Sequence, residues 1–362
     1  MTARLPLQAA DVVVVGNGIV GLASAAALAD AGLRVTVVGG PQRGQASRAA
    51  GGMLAPGVER ATGPAHDFAI AARERYPGYV AMLAERTGVA VSFERRGILQ
   101  VALDDARAAE LSGDLARDAR WLGSTELARL EPALAHARGA LLHERDGSVD
   151  NRALMSALEL LLERHPRARR VAQPAEGVEW DGAHPVVRVM GGEIVHGDRV
   201  VLAAGAWTPL LEGLPRTLPI EPVRGQMLSL AAAPLRHVVY GPGGYLVPRG
   251  ERTVVGSTME RTAFDDEPTA EGLARVRATG EAICPALAGV PAVEQWAGLR
   301  PVTPDLLPII GLDPDRPALV HACGHSRNGI LLGPLTGDCV AALVTGAPLP
   351  ADLSPFDPAR FA

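Results

Sequence analysis

The sequence predicts an α/β fold that combines a mainly parallel sheet with a second, mainly antiparallel one. Residues 11–15 form a short β-branched run, typical of a strand buried on both faces. A Gly-rich turn, an Ala-rich helix and a second such run at 34–38 follow it, and a further buried run lies at 198–203. This strand–helix–strand order is typical of a parallel sheet. Alternating residues at 244–249 and 253–258 predict a hairpin of the antiparallel sheet.

Length and composition exclude several classes of protein. At 362 residues, the chain is long enough for two domains. All 35 basic residues are arginines, which excludes a lysine Schiff base and a P-loop lysine, and the net charge of −5 argues against a nucleic-acid partner. The three cysteines form no C-x-x-C pair, so we expect no metal site and a reducing compartment. Neither a signal-peptide pattern nor an apolar run of about 18 residues is present, so we expect a cytoplasmic protein with no membrane partner.

The Gly-rich turn predicts a dinucleotide-binding site. Gly16 permits the tight turn, Gly18 lets the backbone approach a pyrophosphate, and Gly21 lets the helix pack close to the strand. The helix begins near Ile19 and Val20, where free N–H groups and the positive end of the helix dipole attract phosphates. Because the turn lies between a strand and a helix, its context matches the one that such a site requires.

The acidic residue that usually ends the second strand and binds the ribose hydroxyls is absent. Gly39 and Gly40 occupy its place, so the ribose contact is expected from the backbone, Gln42 or Arg43. Because an arginine also suits a 2′-phosphate, these residues by themselves leave NADP open as the dinucleotide.

Four segments together resemble a known family. Besides the Gly-rich turn, they are the small-residue turn at 203–207 (Ala-Ala-Gly-Ala-Trp), residues 298–305 (Gly-Leu-Arg-Pro-Val-Thr-Pro-Asp) and residues 324–329 (Gly-His-Ser-Arg-Asn-Gly). Over essentially its whole length, the chain resembles the FAD-dependent D-amino-acid oxidase superfamily. Within that superfamily it is most similar to the glycine oxidases of the thiamine pathway and more loosely similar to sarcosine oxidases.

The resemblance implies a Rossmann-like FAD-binding domain with an interleaved second α+β domain built on a mainly antiparallel sheet. The FAD-binding domain is expected to comprise residues 1–75, 143–214 and 296–362. The substrate-binding domain is expected to comprise residues 76–142 and 215–295.

The resemblance also implies that FAD is bound noncovalently. Sarcosine-oxidase-type relatives tether the flavin through a cysteine, and Gly298 occupies that place here. In such enzymes a loop like residues 47–54 runs along the flavin ring, and a helix like the one near Asn328 stabilises negative charge on the reduced flavin. The residues expected to bind the cofactor are Gly16, Gly18, Ile19, Val20, Gly21, Gln42, Arg43, Ser47, Arg48, Ala50, Gly51, Gly52, Met53, Ala204, Gly205, Trp207, Arg300, Ser326, Arg327, Asn328, Gly329 and Ile330.

On the substrate side, glycine-oxidase-like enzymes hold the carboxylate with a tyrosine at the position of Tyr245 and an arginine at that of Arg300. A guanidinium pairs with a carboxylate in a planar fork, and a phenol adds a directional donor. We therefore expect Tyr245, Arg300 and Arg327 to be catalytic residues, and Met259 and His325 to lie in the substrate pocket. Structural alternatives stay open: Tyr245 and Met259 as packing residues, Arg327 as a loop anchor, and His325 as a hydrogen-bonded spacer.

The implied reaction is the FAD-dependent oxidation of a small amine with a carboxylate, namely glycine or an N-substituted glycine. Hydride passes from the α-carbon to flavin N5, the imine hydrolyses to glyoxylate, and oxygen is reduced to hydrogen peroxide. Three alternatives stay open: a larger N-carboxymethyl amino acid, a D-amino acid or proline-like amine, and a dehydrogenase with another electron acceptor. The dehydrogenase stays open because the chain lacks the lysine that speeds reaction with oxygen in sarcosine oxidases. A tRNA-modifying oxidase and a noncatalytic flavin subunit are further alternatives for the function, and a homo-oligomer is an alternative for the assembly.

Overall fold

The structure, a computed structural model, describes residues 10–59, 62–113 and 118–361. Its strands are β1 (Ala10–Val15), β2 (Val35–Val38), β3 (Met53–Leu54), β4 (Phe93–Glu94), β5 (Ile98–Ala102), β6 (Ala119–Gly123), β7 (Gly139–His143), β8 (Gly147–Val149), β9 (Ala168–Val171), β10 (Ala175–Asp181), β11 (His184–Val189), β12 (Glu193–Leu202), β13 (Glu221–Leu230), β14 (Val238–Gly241), β15 (Gly244–Arg249), β16 (Arg252–Gly256), β17 (Glu260–Arg261), β18 (Ala292–Val302), β19 (Ile309–Leu312) and β20 (Leu319–Cys323). Its α-helices are α1 (Ile19–Asp30), α2 (Ala46–Ala49), α3 (Pro56–Glu59), α4 (Gly63–Thr87), α5 (Asp105–Gly113), α6 (Ser124–Leu130), α7 (Asn151–Arg164), α8 (Ala270–Ile283) and α9 (Gly329–Thr345). Short 3₁₀ turns occur at Pro132–Leu134, Gly205–Leu210, Pro285–Leu287, Ser354–Phe356 and Pro358–Phe361.

The first sheet is the predicted parallel one. Strands β9, β2, β1, β12 and β20 lie side by side in that order and run parallel, while β10, β11 and β19 extend the sheet in the antiparallel sense. Val14 of β1 pairs with Val37 on one side and Val201 on the other, and all three are buried. The continuous β-branched runs are explained by this burial on both faces.

The second sheet carries the predicted hairpin. Its strand order is β17-β13-β16-β15-β14-β5-β7-β6, and β18 pairs with β13 along almost its whole length. Strands β15 and β16 form the hairpin, with Arg249 opposite Arg252 at the turn and Tyr245 opposite Gly256 at the far end. Nearly all of its pairings are antiparallel, and the parallel contact between β14 and β5 is the exception. The mixed α/β class and the two kinds of sheet are therefore confirmed.

Two elements cross the predicted domain boundaries. Helix α4 continues through Pro77, and its residues Tyr76 and Leu83 lie in the same core as the parallel sheet. Strand β18 crosses residue 296, where Trp296 pairs with Met227 of the second sheet. We retain the division into two domains as a proposal. We move α4 to the cofactor domain and all of β18 to the substrate domain, because a continuous core and a continuous ladder mark each unit.

Helices α1 and α9 lie unusually close together. A Cβ built on Gly337 would lie 2.7 Å from the Ala23 backbone, and one built on Gly333 would lie 2.8 Å from the Ile19 side chain. The glycines therefore let both helices begin beside the same edge of the parallel sheet. Within the described residues, no helix is both long and apolar enough to cross a lipid bilayer.

Candidate active site

One large cavity of about 810 Å³ connects the carboxyl ends of the parallel strands, the N-termini of α1 and α9, and the second sheet. Most of the residues predicted for cofactor or substrate line it. These residues are Gly16, Gly18, Ile19, Val20, Gln42, Ser47, Ala50, Gly51, Gly52, Met53, Ala204, Gly205, Trp207, Tyr245, Met259, Arg300, His325, Ser326, Arg327, Asn328, Gly329 and Ile330.

Three of the predicted cofactor residues lie outside the cavity lining. Gly21 lies behind it, where a Cβ would come within 2.1 Å of the Gly16 carbonyl oxygen. The exposed guanidinium of Arg43 pairs with Glu267, and that of Arg48 pairs with Glu159 at 2.7 Å. Acidic groups distant in the sequence therefore hold these two side chains outside the cavity lining, and their expected contacts with the cofactor stay predictions.

The end of the cavity beside α1 is shaped by one close approach of two backbone segments and by one hydrogen bond from the backbone to a side chain. Gly16 has φ +122°, and a Cβ there would lie 2.2 Å from the Ala203 carbonyl oxygen. The N–H of Ile19 donates to Ser47 Oγ at 2.9 Å, while Gly18, the N-cap of α1, supplies no side-chain bond. The N-terminus of α1 thus opens into the cavity with its positive dipole end, as a pyrophosphate site requires.

The missing acid after β2 has a structural explanation. Asn17 Nδ2 donates to the carbonyl oxygens of Gly40 at 3.1 Å and Gly39 at 3.3 Å. A Cβ on Gly39 would lie 3.0 Å from the Asn17 side chain, so the amide occupies space that a longer residue at position 39 would need. Gln45 Nε2 in turn donates to Asn17 Oδ1 at 2.9 Å. Sequence reasoning missed Asn17 and Gln45, although an amide between the two glycines of the turn is a usable signal.

The end of the cavity beside the N-terminus of α9 contains a polar atom that lacks a hydrogen-bond partner among the described residues. Ser326 has φ +48°, is 8% exposed, and its Oγ has no hydrogen-bond partner among the described residues. Asn328, the N-cap of α9, also makes no side-chain capping bond. A buried hydroxyl and a second open helix N-terminus, facing the same cavity as α1, fit a long dinucleotide with an electron-accepting ring.

Tyr245 and Arg300 face the cavity from the second sheet. Arg300 donates from Nη2 to Ser257 Oγ at 2.6 Å and from Nη1 to the Thr258 carbonyl at 3.2 Å. Burial lowers the pKa of the Arg300 guanidinium and raises the pKa of the Tyr245 phenol. Both groups are therefore fixed in a site of low polarity, where a carboxylate is a strong partner for the guanidinium.

Glycines leave the space that these two side chains fill. A Cβ on Gly225 would lie 2.2 Å from Arg300 Nη1, and one on Gly256 would lie 2.6 Å from Tyr245 Cζ. Gly51, on the loop before β3, also lies against this ring, with its Cβ position 2.7 Å from Tyr245 Cε2. The tyrosine ring is thus in contact with two glycine backbones, which sequence spacing did not indicate.

A carboxylate that sequence reasoning missed lies at the same end of the cavity. Glu59 Oε2 accepts from Arg327 Nε at 2.6 Å and from Asn328 Nδ2 at 3.5 Å. Two hydrogen bonds fix the backbone just before Glu59. Asp146 Oδ2 accepts from the N–H groups of Gly57 at 3.0 Å and Val58 at 3.2 Å. The position of Glu59 just after the predicted flavin loop was the available sequence signal.

The remaining pocket residues, Met259 and His325, differ in character. Met259 is 60% exposed at the cavity edge, so it is not a core residue. His325 is 3% exposed, and its Nε2 lies 3.1 Å from Thr336 Oγ1. Burial lowers the pKa of His325 to about 3, so the imidazole is neutral at pH 7. This agrees with a hydrogen-bonded spacer and argues against a protonated acid at this position.

His325 leads to a prediction on acid stability. Its folded-state pKa of about 3 lies below the ordinary 6.5, so the unfolded chain takes up a proton first and stability falls as the pH drops from 6.5 toward 3. The slope for one fully displaced proton is about 1.4 kcal/mol per pH unit. We expect His325→Gln to lose less stability than the wild type between pH 7 and 4.5, measured by urea unfolding. The exposed His184→Gln is the matched control, and equal losses in all three proteins would contradict the prediction.

Comparison with known proteins places this geometry in a class. The chain matches the DAO family of FAD dependent oxidoreductases over residues 11–343 and belongs to that family. It is therefore an FAD-dependent oxidoreductase.

Among individual relatives, the chain is 35% identical to the glycine oxidase of Pseudomonas aeruginosa, across 96% of this chain and 98% of that protein. It is also 35% identical to the bifunctional protein ThiO/ThiG of Synechocystis, but it spans only about half (54%) of that protein's length. The crystal structure of glycine oxidase from Geobacillus kaustophilus superposes with a TM-score of 0.91 at 30% identity, covering 97% of this chain and 98% of that one.

Proposed function

We propose that the protein oxidises glycine or an N-substituted glycine at the C–N bond. The observation that carries the proposal is the pair Arg300 and Tyr245, which faces the same cavity as the two open helix N-termini. A buried guanidinium beside a phenol suits the carboxylate of a small amino acid. The glycine oxidases among the relatives support this choice of substrate.

The chain's own residues position and prepare the substrate. Arg300 and Tyr245 bind the carboxylate, which holds the α-carbon of the substrate in one place. The low polarity around them, which lowers the pKa of Arg300, also disfavours a charged ammonium and so favours the neutral amine that can be oxidised. The N-terminus of α9 supplies its positive dipole end to negative charge that develops in the cavity.

The proposed reaction is a two-electron oxidation of the amine followed by hydrolysis. The substrate would lose a hydride from its α-carbon, which FAD held at the N-termini of α1 and α9 would accept, and a proton from its nitrogen, which gives an imine. Water adds to the imine, which releases glyoxylate and ammonia or a primary amine. We propose oxygen as the acceptor of the two electrons, which with two protons gives hydrogen peroxide. A dehydrogenase with another electron acceptor is the alternative, since the chain has no lysine to speed the reaction of the reduced flavin with oxygen.

The cavity also supports a larger N-carboxymethyl amine as a second candidate. Beyond Tyr245 it is lined by Gly243, Gly244, Val276 and Thr279, where the β14–β15 turn faces helix α8. The Cβ position of Gly243 lies 3.5 Å from Thr279 Oγ1, so the missing side chain leaves room beside the helix.

Anaerobic spectroscopy tests the proposed function. Glycine, sarcosine and N-alkyl glycines of increasing length are added to the FAD-loaded protein without oxygen. We expect at least one of them to bleach the flavin absorbance, and readmission of air to restore it with formation of hydrogen peroxide. Bleaching without recovery in air would favour the dehydrogenase, and no bleaching by any of them would contradict the N-substituted-glycine assignment.

A further inference from the structure

Three of the charged groups that line the cavity bear on the proposed binding of the substrate carboxylate. Two of them are Arg300 and Arg327, and the positive charge of Arg327 is close enough to contribute to the lowered pKa of Arg300. Two arginines alone would attract an anion with two negative charges. Glu59 is the third group, and it lines the same cavity.

Glu59 balances one of the two arginines and leaves the other for the substrate. Its carboxylate accepts from Arg327 Nε at 2.6 Å, and its side chain is only 14% exposed. The hydrogen-bond partners of Arg300 are neutral among the described residues: the Ser257 hydroxyl, the Thr258 carbonyl and the Tyr245 phenol. The three groups together therefore carry one net positive charge, which matches a single carboxylate.

The position of Glu59 is imposed by the fold. Asp146, with no exposed surface, holds the N–H groups of the two residues before Glu59 and is itself paired with Arg73 at 2.7 Å. A Cβ on Gly57 would lie 2.9 Å from Asp146 Oδ2, so this backbone lies directly against the buried carboxylate. Glu59 consequently has little freedom to leave Arg327 when a ligand enters.

We propose that Glu59 limits how many negative charges the site accepts in a substrate. It would restrict the site to amines with one carboxylate and an uncharged N-substituent. This inference rests on the proposed function, in which Arg300 binds the substrate carboxylate. A dianionic amine would place its second carboxylate near Glu59, where like charges repel. Removing the Glu59 charge frees Arg327 to bind that second carboxylate, since a charge-assisted pair with an arginine then becomes available.

Two ether analogues test the proposal in the FAD-loaded protein. Methoxyacetate has the shape of sarcosine with one negative charge, diglycolate has the shape of iminodiacetate with two, and neither contains an amine to oxidise. Their dissociation constants are measured from the perturbation of the flavin absorbance. We expect Glu59→Gln to favour diglycolate over methoxyacetate by about 10-fold relative to the wild type, which corresponds to about 1.4 kcal/mol.

Two further variants show whether Arg327 is responsible. Glu59→Gln combined with Arg327→Gln should lose the gain for diglycolate, because no guanidinium remains for the second carboxylate. Arg327→Gln by itself should shift the preference the other way, toward methoxyacetate, because the Glu59 charge is then unbalanced. The exposed Glu94, paired with Arg96 at 2.9 Å, gives the matched control Glu94→Gln.

The outcomes separate this inference from the proposed function. An unchanged preference in both Glu59→Gln and Arg327→Gln overturns it, and so does a gain for diglycolate that persists in the double variant. If the preference shifts as expected but neither glycine nor any of the N-alkyl glycines is oxidised, the charge selection stands and the proposed substrate is wrong. If sarcosine is oxidised and the preference does not shift, the charge selection alone is wrong.

Discussion

Arg300→Ala is expected to lower kcat/KM for the accepted amine by about 100-fold or more. Losing one partner of a buried charge pair, here Arg300 with the substrate carboxylate, costs about 3 kcal/mol. Arg300 is available for this pair because its partners in the protein are neutral. Because the substrate carboxylate would lose its positioning group, both weaker binding and slower turnover are expected. Steady-state kinetics with oxygen uptake, at matched flavin content, measures the effect.

Two controls distinguish loss of a substrate contact from general damage. Arg300→Lys keeps the charge without the planar fork and should recover only part of the activity. Arg216→Ala removes a guanidinium that is 10% exposed and paired with Asp313, outside the cavity lining. It should lower the unfolding temperature while leaving KM unchanged. A kcat/KM for Arg300→Ala within threefold of the wild type would overturn the role of Arg300 in carboxylate binding.

Gly16→Ala is expected to abolish FAD retention and to destabilise the fold by more than about 4 kcal/mol, the range of severe substitutions. The added Cβ would lie 2.2 Å from the Ala203 carbonyl oxygen, so the turn must move away from the end of β12. Flavin absorbance after gel filtration and the free energy of unfolding in urea give the two readouts.

Gly32 provides the matched control for backbone strain alone. It also has a positive φ, +91°, but a Cβ there would meet nothing within 4 Å. Gly32→Ala should cost about 1–2 kcal/mol, the price of a left-handed conformation for alanine, and should keep its FAD. Equal flavin loss in both variants would show that the close contact with Ala203 is not the cause.

Local features of the chain were predictable because their physics is local. The β-branched run of β1, the glycines of the turn and the hairpin at β15–β16 each depend on neighbours within a few residues. The mixed fold and the FAD dependence followed from them together with the family resemblance. The roles of Tyr245 and Arg300 in the substrate site were inferred from that resemblance and remain predictions.

The partners of the charged side chains could not be predicted from the sequence, for a different reason. Arg43 pairs with a residue 224 positions away, and Arg327 pairs with Glu59 268 positions away. No pattern of spacing indicates which acid a surface arginine will meet, because long charged side chains pair with whatever group the fold brings within reach. The length of helix α4 also depends on tertiary structure. The helix continues through Pro77 because its buried face completes the first core.

The sequence by itself therefore determined the α/β class, the dinucleotide turn and the absence of lysine chemistry, since these depend on residue type and short-range order. The tertiary structure decided which charges reach the cavity. It alone paired Glu59 with Arg327, left Arg300 with neutral partners and placed the Asn17 side chain against Gly39 and Gly40. Electrostatic balance in a buried site depends on distances between residues far apart in the chain, and folding sets those distances.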